Sequence, residues 1–229
     1  MAISEDLIKK MVQERLTKGP QAGATETGDA DPGAETVIGW RAWRIPRQPA
    51  LDEEGNPEPV YLRSASYDYF WVPLERARAS CDTCGGTDPN DRETTPGEGC
   101  TCGFYTARSL PHLRKMGYHK YNEEYDGDIT VVGKVANWGK VIEGSQGWRA
   151  EYAYPLKLYL PYEGYRVGKA ISDLYGVPLS LMNILDDAAK PDRKRKLHDF
   201  EPEHNRTPKF LRDYRRKHGG GDEEDWLDE

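Results

Sequence analysis

All four cysteines of this 229-residue chain fall in one short stretch, as Cys81-Asp-Thr-Cys84 and Cys100-Thr-Cys102. A secreted chain held by disulfides usually spreads its bridges over the fold. Two close cysteine pairs flanking a loop are instead the spacing of a thiolate metal site. Zinc takes four soft donors in a tetrahedron, and two knuckles on facing turns supply them. The residues between the pairs, GGTDPNDRETTPGEG, have almost nothing apolar to bury, so metal binding has to order them. Cys81, Cys84, Cys100 and Cys102 are therefore the expected ligands of one structural Zn2+. Glycine follows each knuckle, where backbone N–H groups must turn toward the thiolates. The second pair is CxC where a zinc ribbon has CxxC. Four thiolates leave no open coordination position, which argues against a catalytic metal. His112 and His119 are near enough in sequence to replace a cysteine, and the alternative to a metal is four free or redox-active thiols.

What surrounds this loop is polar. The net charge is −7 and the mean hydropathy −0.85, with no apolar run long enough to span a membrane and no signal-peptide core. The expectation is a cytoplasmic protein with no membrane partner. Tyr and Trp, at 14 and 6, far outnumber the 4 Phe. Such rings bury an apolar face and keep one polar atom, which suits a thin core and a binding surface equally.

Residues 1–17 read as an amphipathic helix, with Ser4 as N-cap and Leu7, Ile8, Met11, Val12 and Leu16 as its stripe. Residues 18–36 are a Gly/Ala/Thr/Asp linker. A body over 37–186 opens on the strand-like Val37–Ile45, whose alternation puts Trp40 and Trp43 on opposite faces. Val60–Arg63 and Tyr67–Val72 suggest a second strand pair. Ile129–Val135 and Trp148–Tyr154, extended by Lys140–Glu143 and Leu156–Leu160, suggest a third, punctuated by Gly133, Gly139, Gly144 and Gly147. Residues 166–175 look helical and stop at Gly176 and Pro178. Short, turn-rich strands of this kind predict an α+β fold, a mostly antiparallel sheet with few helices and a zinc-bound loop insertion. A basic segment, 187–218, and an acidic tail, 219–229, complete the chain.

Several pieces taken together resemble an uncharacterised family of small proteins from actinobacteria and their phages. They are Gly39-Trp-Arg-Ala-Trp-Arg44, Cys100-Thr-Cys-Gly-Phe-Tyr105, Gly133-Lys-Val-Ala-Asn-Trp-Gly-Lys-Val141, Gly147-Trp-Arg-Ala-Glu-Tyr-Ala-Tyr-Pro155 and Tyr175-Gly-Val-Pro178. The resemblance covers roughly 37–180. It implies a cysteine and a histidine ahead of the CxCG piece, where this chain has Cys81 and Cys84, with Thr94 near the histidine's place. It implies an origin and a fold unit but no reaction; if the chain is phage-encoded, its compartment is the host cytoplasm.

No phosphate loop, HExxH or GxSxG occurs, and the five histidines form no catalytic pattern. An enzyme of unknown class is thus the third reading. The first is a noncatalytic zinc-stabilised module that binds a macromolecular partner, a protein above all, as a phage-encoded regulator of a host process. The second is a DNA- or RNA-binding protein. Lys and Arg far outnumber Asp and Glu between 190 and 217, and Arg193, Lys194, Arg195, Lys196, Arg212, Arg215 and Arg216 are its candidate phosphate contacts. In the acidic tail Trp226 and Leu227 are the only apolar anchor for a partner. Arg149 and Glu151, two apart on a strand, share a face and are expected to pair. Glu123, Glu124, Asp126 and Asp128 form a carboxylate cluster that reads as solvated surface.

Overall fold

Trp40 and Ala42 point to one side of a strand and Trp43 and Ile45 to the other, each set buried in a different apolar cluster. That alternation makes Val37–Pro46 a strand with two covered faces (β1). The computed structural model describes residues 36–67, 69–81, 84, 95–116, 128–182, 198–203 and 206–218. The expected helix 1–17, the linker 18–36 apart from Thr36, and the tail 219–229 lie outside them.

Among the described residues seven more strands follow: β2 (Arg63–Ser64), β3 (Ala77–Arg78), β4 (Phe104–Ala107), β5 (Asp128–Glu143), β6 (Gly147–Leu160), β7 (Leu179–Leu181) and β8 (His198–Phe200). Three α-helices accompany them there: α1 (Leu110–Lys115), α2 (Tyr165–Tyr175) and α3 (Lys209–His218). The sheet is antiparallel except where β7 runs parallel to β6, so the fold is α+β as expected, with a cysteine-bearing loop set into it. The two β-runs after residue 128 are longer than their separate pieces suggested. They join into one hairpin, β5 on β6, with register shifts after Lys134 and after Trp138. Gly139, at φ +75°, sits in the second shift, a conformation a side chain resists. The expected pair over 60–72 is narrower: Ser64 N–H donates to Tyr69 O and Trp71 N–H to Leu62 O, both at 2.9 Å.

The ladder closes on itself. β1 pairs with β5, β5 with β6, β6 with β4, and β4 returns to β1 at Trp40 and Ala107. The larger core lies against one face of this curled sheet, with Trp43, Trp71, Trp138, Tyr154 and Leu158 fully buried. α2 lays Val167, Ile171 and Tyr175 on it and ends at Gly176, two residues before Pro178. On the other face Trp40 stacks on Tyr159 at 5.7 Å, under Leu110 and Leu113 of α1.

Among the described residues, most of the tyrosine and tryptophan is core. The Tyr175 hydroxyl accepts from Leu62 N–H at 2.8 Å and donates to Trp71 O at 2.7 Å. Tyr154 does the same for Leu74 N–H and Tyr175 O. Two buried rings thereby tie down the largely irregular segment 62–74 at Leu62, Trp71 and Leu74.

The border expected at residue 186 is not a border of packing. β8 pairs with β7, and Phe200 and Leu211 belong to the main core. Phe210 meets Trp138 at 6.0 Å and Tyr154 at 5.1 Å. Charge dominates the composition of 187–218 and conceals three residues that the core requires. Among the described residues no helix is long and apolar enough to cross a membrane.

Candidate metal centre

β3 and β4 both pair with the same edge of β6. Ala77 and Arg78 face Ala153 and Tyr152, and Ala79 N–H reaches Glu151 O at 2.8 Å. Phe104 and Tyr105 then face Ala150 and Arg149. Residues 80–103 therefore leave and re-enter one lane of the sheet beside consecutive positions of β6. The sheet holds the two arms of the loop side by side, and each arm carries one cysteine pair.

The four sulfurs of Cys81, Cys84, Cys100 and Cys102 lie within 4.8 Å of one another. They meet crosswise, Cys81 with Cys100 at 3.5 Å and Cys84 with Cys102 at 3.2 Å, all four half-buried and none in a disulfide. For a tetrahedral thiolate site with metal–sulfur bonds of about 2.3 Å, geometry asks for sulfur–sulfur edges of ~3.8 Å. The donor set thus fits one metal ion. Burial, followed by the hydrogen bond with Cys84, pushes the Cys102 thiol up to about 12. A dication among the sulfurs inverts that preference, because thiolate is the form that binds metal. Gly103, directly after the second knuckle, has φ +112°, and Pro96, Arg149 and the Ala150 carbonyl crowd the space that a side chain would enter. A Cβ there would come within 3.2 Å of Pro96, so this turn requires glycine.

Arg149 is the residue that holds the second arm. Its guanidinium donates to the carbonyl of Cys100, to that of Cys102 at 3.2 Å and to that of Glu98 at 3.2 Å. The expected Arg149–Glu151 ion pair does not form. Glu151, nearly buried, takes Arg78 at 3.4 Å and accepts from Lys140 N–H instead. The reason is the lane: β3 brings Arg78 beside Glu151, while the loop offers Arg149 a turn of bare carbonyls. Sequence reasoning missed this role because those carbonyls lie about fifty residues away. The signal was there in the Gly147-Trp-Arg-Ala-Glu run, which placed an arginine opposite the Tyr that follows CxCGF.

The remaining sequence candidates scatter. Ser109 caps α1, its Oγ accepting from His112 N–H at 3.4 Å and lying 2.8 Å from His112 Nδ1, so His112 takes no place among the sulfurs. His119, Glu123, Glu124 and Asp126 lie outside the described residues, and Asp128 pairs with Arg44 at 3.5 Å. Arg193, Lys194, Arg195, Lys196, Trp226 and Leu227 lie outside them too. Of the basic helix, Arg212 and Arg216 are exposed, and Arg216 pairs with Asp213 at 2.8 Å. Arg215 is half-buried and donates to Leu156 O at 3.3 Å, so part of its charge serves the fold. Trp138 is buried against Tyr152, and Trp148 lies half-buried under the Arg108 guanidinium.

Beside the knuckle the surface is aromatic. Tyr105 is 43% exposed and donates to Thr101 O at 2.7 Å. Tyr67 is 76% exposed and close enough to act on the Tyr105 hydroxyl. A cleft of about 200 Å³ runs from Tyr105 and the exposed Met116 to Ile142 and Trp148. Comparison with protein-family models, curated proteins and solved structures finds no match.

Proposed function

We propose that this chain is a noncatalytic module in which one structural zinc staples an inserted loop and presents it, with the tyrosines beside it, to a macromolecular partner. The observation that carries the reading is the convergence of four sulfurs, all of them on the two arms of a loop that the sheet pins at both ends. Four thiolates fill a tetrahedral zinc and leave no position for substrate, which supports a structural role. Tyr67, Tyr105, Met116 and Trp148 are residue types enriched in protein interfaces, and the metal loop fixes the rim of that surface. The partner in this reading is a protein. In this reading the chain is a phage-encoded regulator acting in the host cytoplasm, where reducing conditions keep thiols available to metal.

The test begins with native mass spectrometry of the purified chain. About one zinc per chain is expected, with Cys100→Ser lowering the content and opening the loop to trypsin at Arg92. A metal-free chain of full stability sinks the reading. Binding is tested by pull-down from actinobacterial lysate, before and after nuclease. A partner protein that survives nuclease and is lost in Tyr105→Ala supports the module.

A nucleic-acid reading is favoured by one observation, the exposure of Arg212 and Arg216 on α3. Loss of all capture on nuclease treatment, with affinity for a DNA or RNA probe falling steeply as salt rises, would select it instead.

A further inference from the structure

We infer that the four-cysteine centre is a redox-exchangeable staple: a peroxide expels its metal and leaves two crosswise disulfides, Cys81–Cys100 and Cys84–Cys102. This rests on the metal-binding reading for the reduced form, and on three observations for the oxidised one.

First, sulfurs meet across the knuckles, Cys81 with Cys100 at 3.5 Å and Cys84 with Cys102 at 3.2 Å, so each thiolate has a partner on the other arm, with Cys102 touching Cys81 and Cys100 as well. Second, all four cysteines are half-buried rather than sealed, which leaves the centre open to a small oxidant. Third, the two arms are held together by something other than the metal. β3 and β4 anchor them to neighbouring positions of β6, and Arg149 fixes the Cys100–Cys102 turn through its carbonyls. When the metal leaves, the sulfurs stay in register for the partner they already face.

The chemistry balances with a peroxide as the only co-reactant. A metal-bound thiolate attacks the peroxide. A sulfur–oxygen bond forms, the oxygen–oxygen bond breaks and hydroxide leaves, giving a sulfenic acid. The facing thiolate attacks that sulfur, forming the disulfide and releasing a second hydroxide. Two thiolates supply the two electrons that one peroxide takes up. Two peroxides therefore convert all four cysteines, the dication loses its ligands and departs, and solvent protonates the hydroxides to water.

Pairing decides the mechanical result. Crosswise bridges tie one arm to the other, so the loop stays closed with or without metal. Bridges within each knuckle, Cys81–Cys84 and Cys100–Cys102, would add no covalent link between the arms.

The experiment uses the full-length zinc-loaded chain, freed of reductant and titrated with hydrogen peroxide. Zinc release is read with a chromogenic chelator, free thiols by alkylation, and connectivity by non-reducing peptide mapping. Trypsin cuts at Arg92 and separates the two pairs, and cleavage before Asp82 separates Cys81 from Cys84. The expected result is release of the zinc with loss of all four thiols, crosswise peptides, and recovery of thiols and zinc binding after reduction. In Cys102→Ser, Cys84 should remain a free thiol while Cys81–Cys100 forms. Bridges within the knuckles, conversion straight to sulfinic acids, or zinc retained with thiols intact would each overturn the inference. A chain that binds no metal at all sinks the metal reading alone, and the same peptide map on that chain still decides the pairing.

Discussion

Replacing Arg149 should weaken the metal site without unfolding the sheet. The guanidinium makes charge-assisted bonds to the carbonyls of Cys100, Cys102 and Glu98, and two of these three carbonyls belong to the ligand residues themselves. Four thiolates around a dication carry a net charge of about −2, which the arginine partly offsets. Groups that orient ligands in this way typically contribute 10- to 100-fold in metal affinity. Arg149→Met keeps an unbranched stem of similar bulk and removes every donor. Its expected loss is therefore about 1.4–2.7 kcal/mol of zinc binding, since each tenfold step is ~1.4 kcal/mol. Arg149→Lys should fall in between, keeping the charge while losing the fork that spans two carbonyls. Zinc affinity measured by competition with a chelator of known strength checks this, alongside a thermal melt of each variant. Wild-type affinity in Arg149→Met would refute the argument and show that the sulfurs hold the turn unaided. A melt that drops as far as affinity does would show that the arginine serves the fold.

Other outcomes follow from the core. Leu211→Ala, at a position 1% exposed in the main cluster, should cost about 3 kcal/mol in urea denaturation, and no change would mean that α3 is an appendage. Gly139→Ala places a Cβ 2.7 Å from the Tyr152 ring at φ +75° and should cost about 1–3 kcal/mol, read as a lower denaturation midpoint with an unchanged slope. Burial holds the Tyr154 and Tyr175 hydroxyls well above their ordinary 10.0, so the fold favours their protonated forms. Their contribution is complete below pH 10.0 and is lost as pH rises past it toward the folded values. Stability should therefore fall in alkali, tyrosinate absorbance should appear with unfolding, and Tyr175→Phe should flatten that slope.

What the chain declared in advance was whatever repeats locally. Alternation located β1 and the β5–β6 hairpin and separated Trp40 from Trp43, because period two is a property of neighbours. The stop at Gly176 and Pro178 was legible for the same reason, and so was the cysteine spacing. β3 was not legible, since two residues carry no period, and its place is decided by β6. α3 hid its contribution behind charge: Phe210 and Leu211 look incidental among lysines and arginines until Phe210 is seen against Trp138 and Tyr154 and Leu211 inside the main core. Arg149 was misassigned to Glu151 by proximity along the strand. Pairing rules for adjacent side chains cannot anticipate a loop that returns three carbonyls to the same spot.

That return has a consequence for how the chain could be rebuilt. Ala79 opposes Glu151 and Phe104 opposes Ala150, so the strand facing β6 would be continuous if residues 80–103 were cut out and their ends joined. The cysteine-bearing piece is thus a cassette spliced into an intact rung-by-rung pairing. Its length and content are free to vary while the host sheet keeps its register, and a foreign loop grafted at the same seam inherits a rigid, two-point mount.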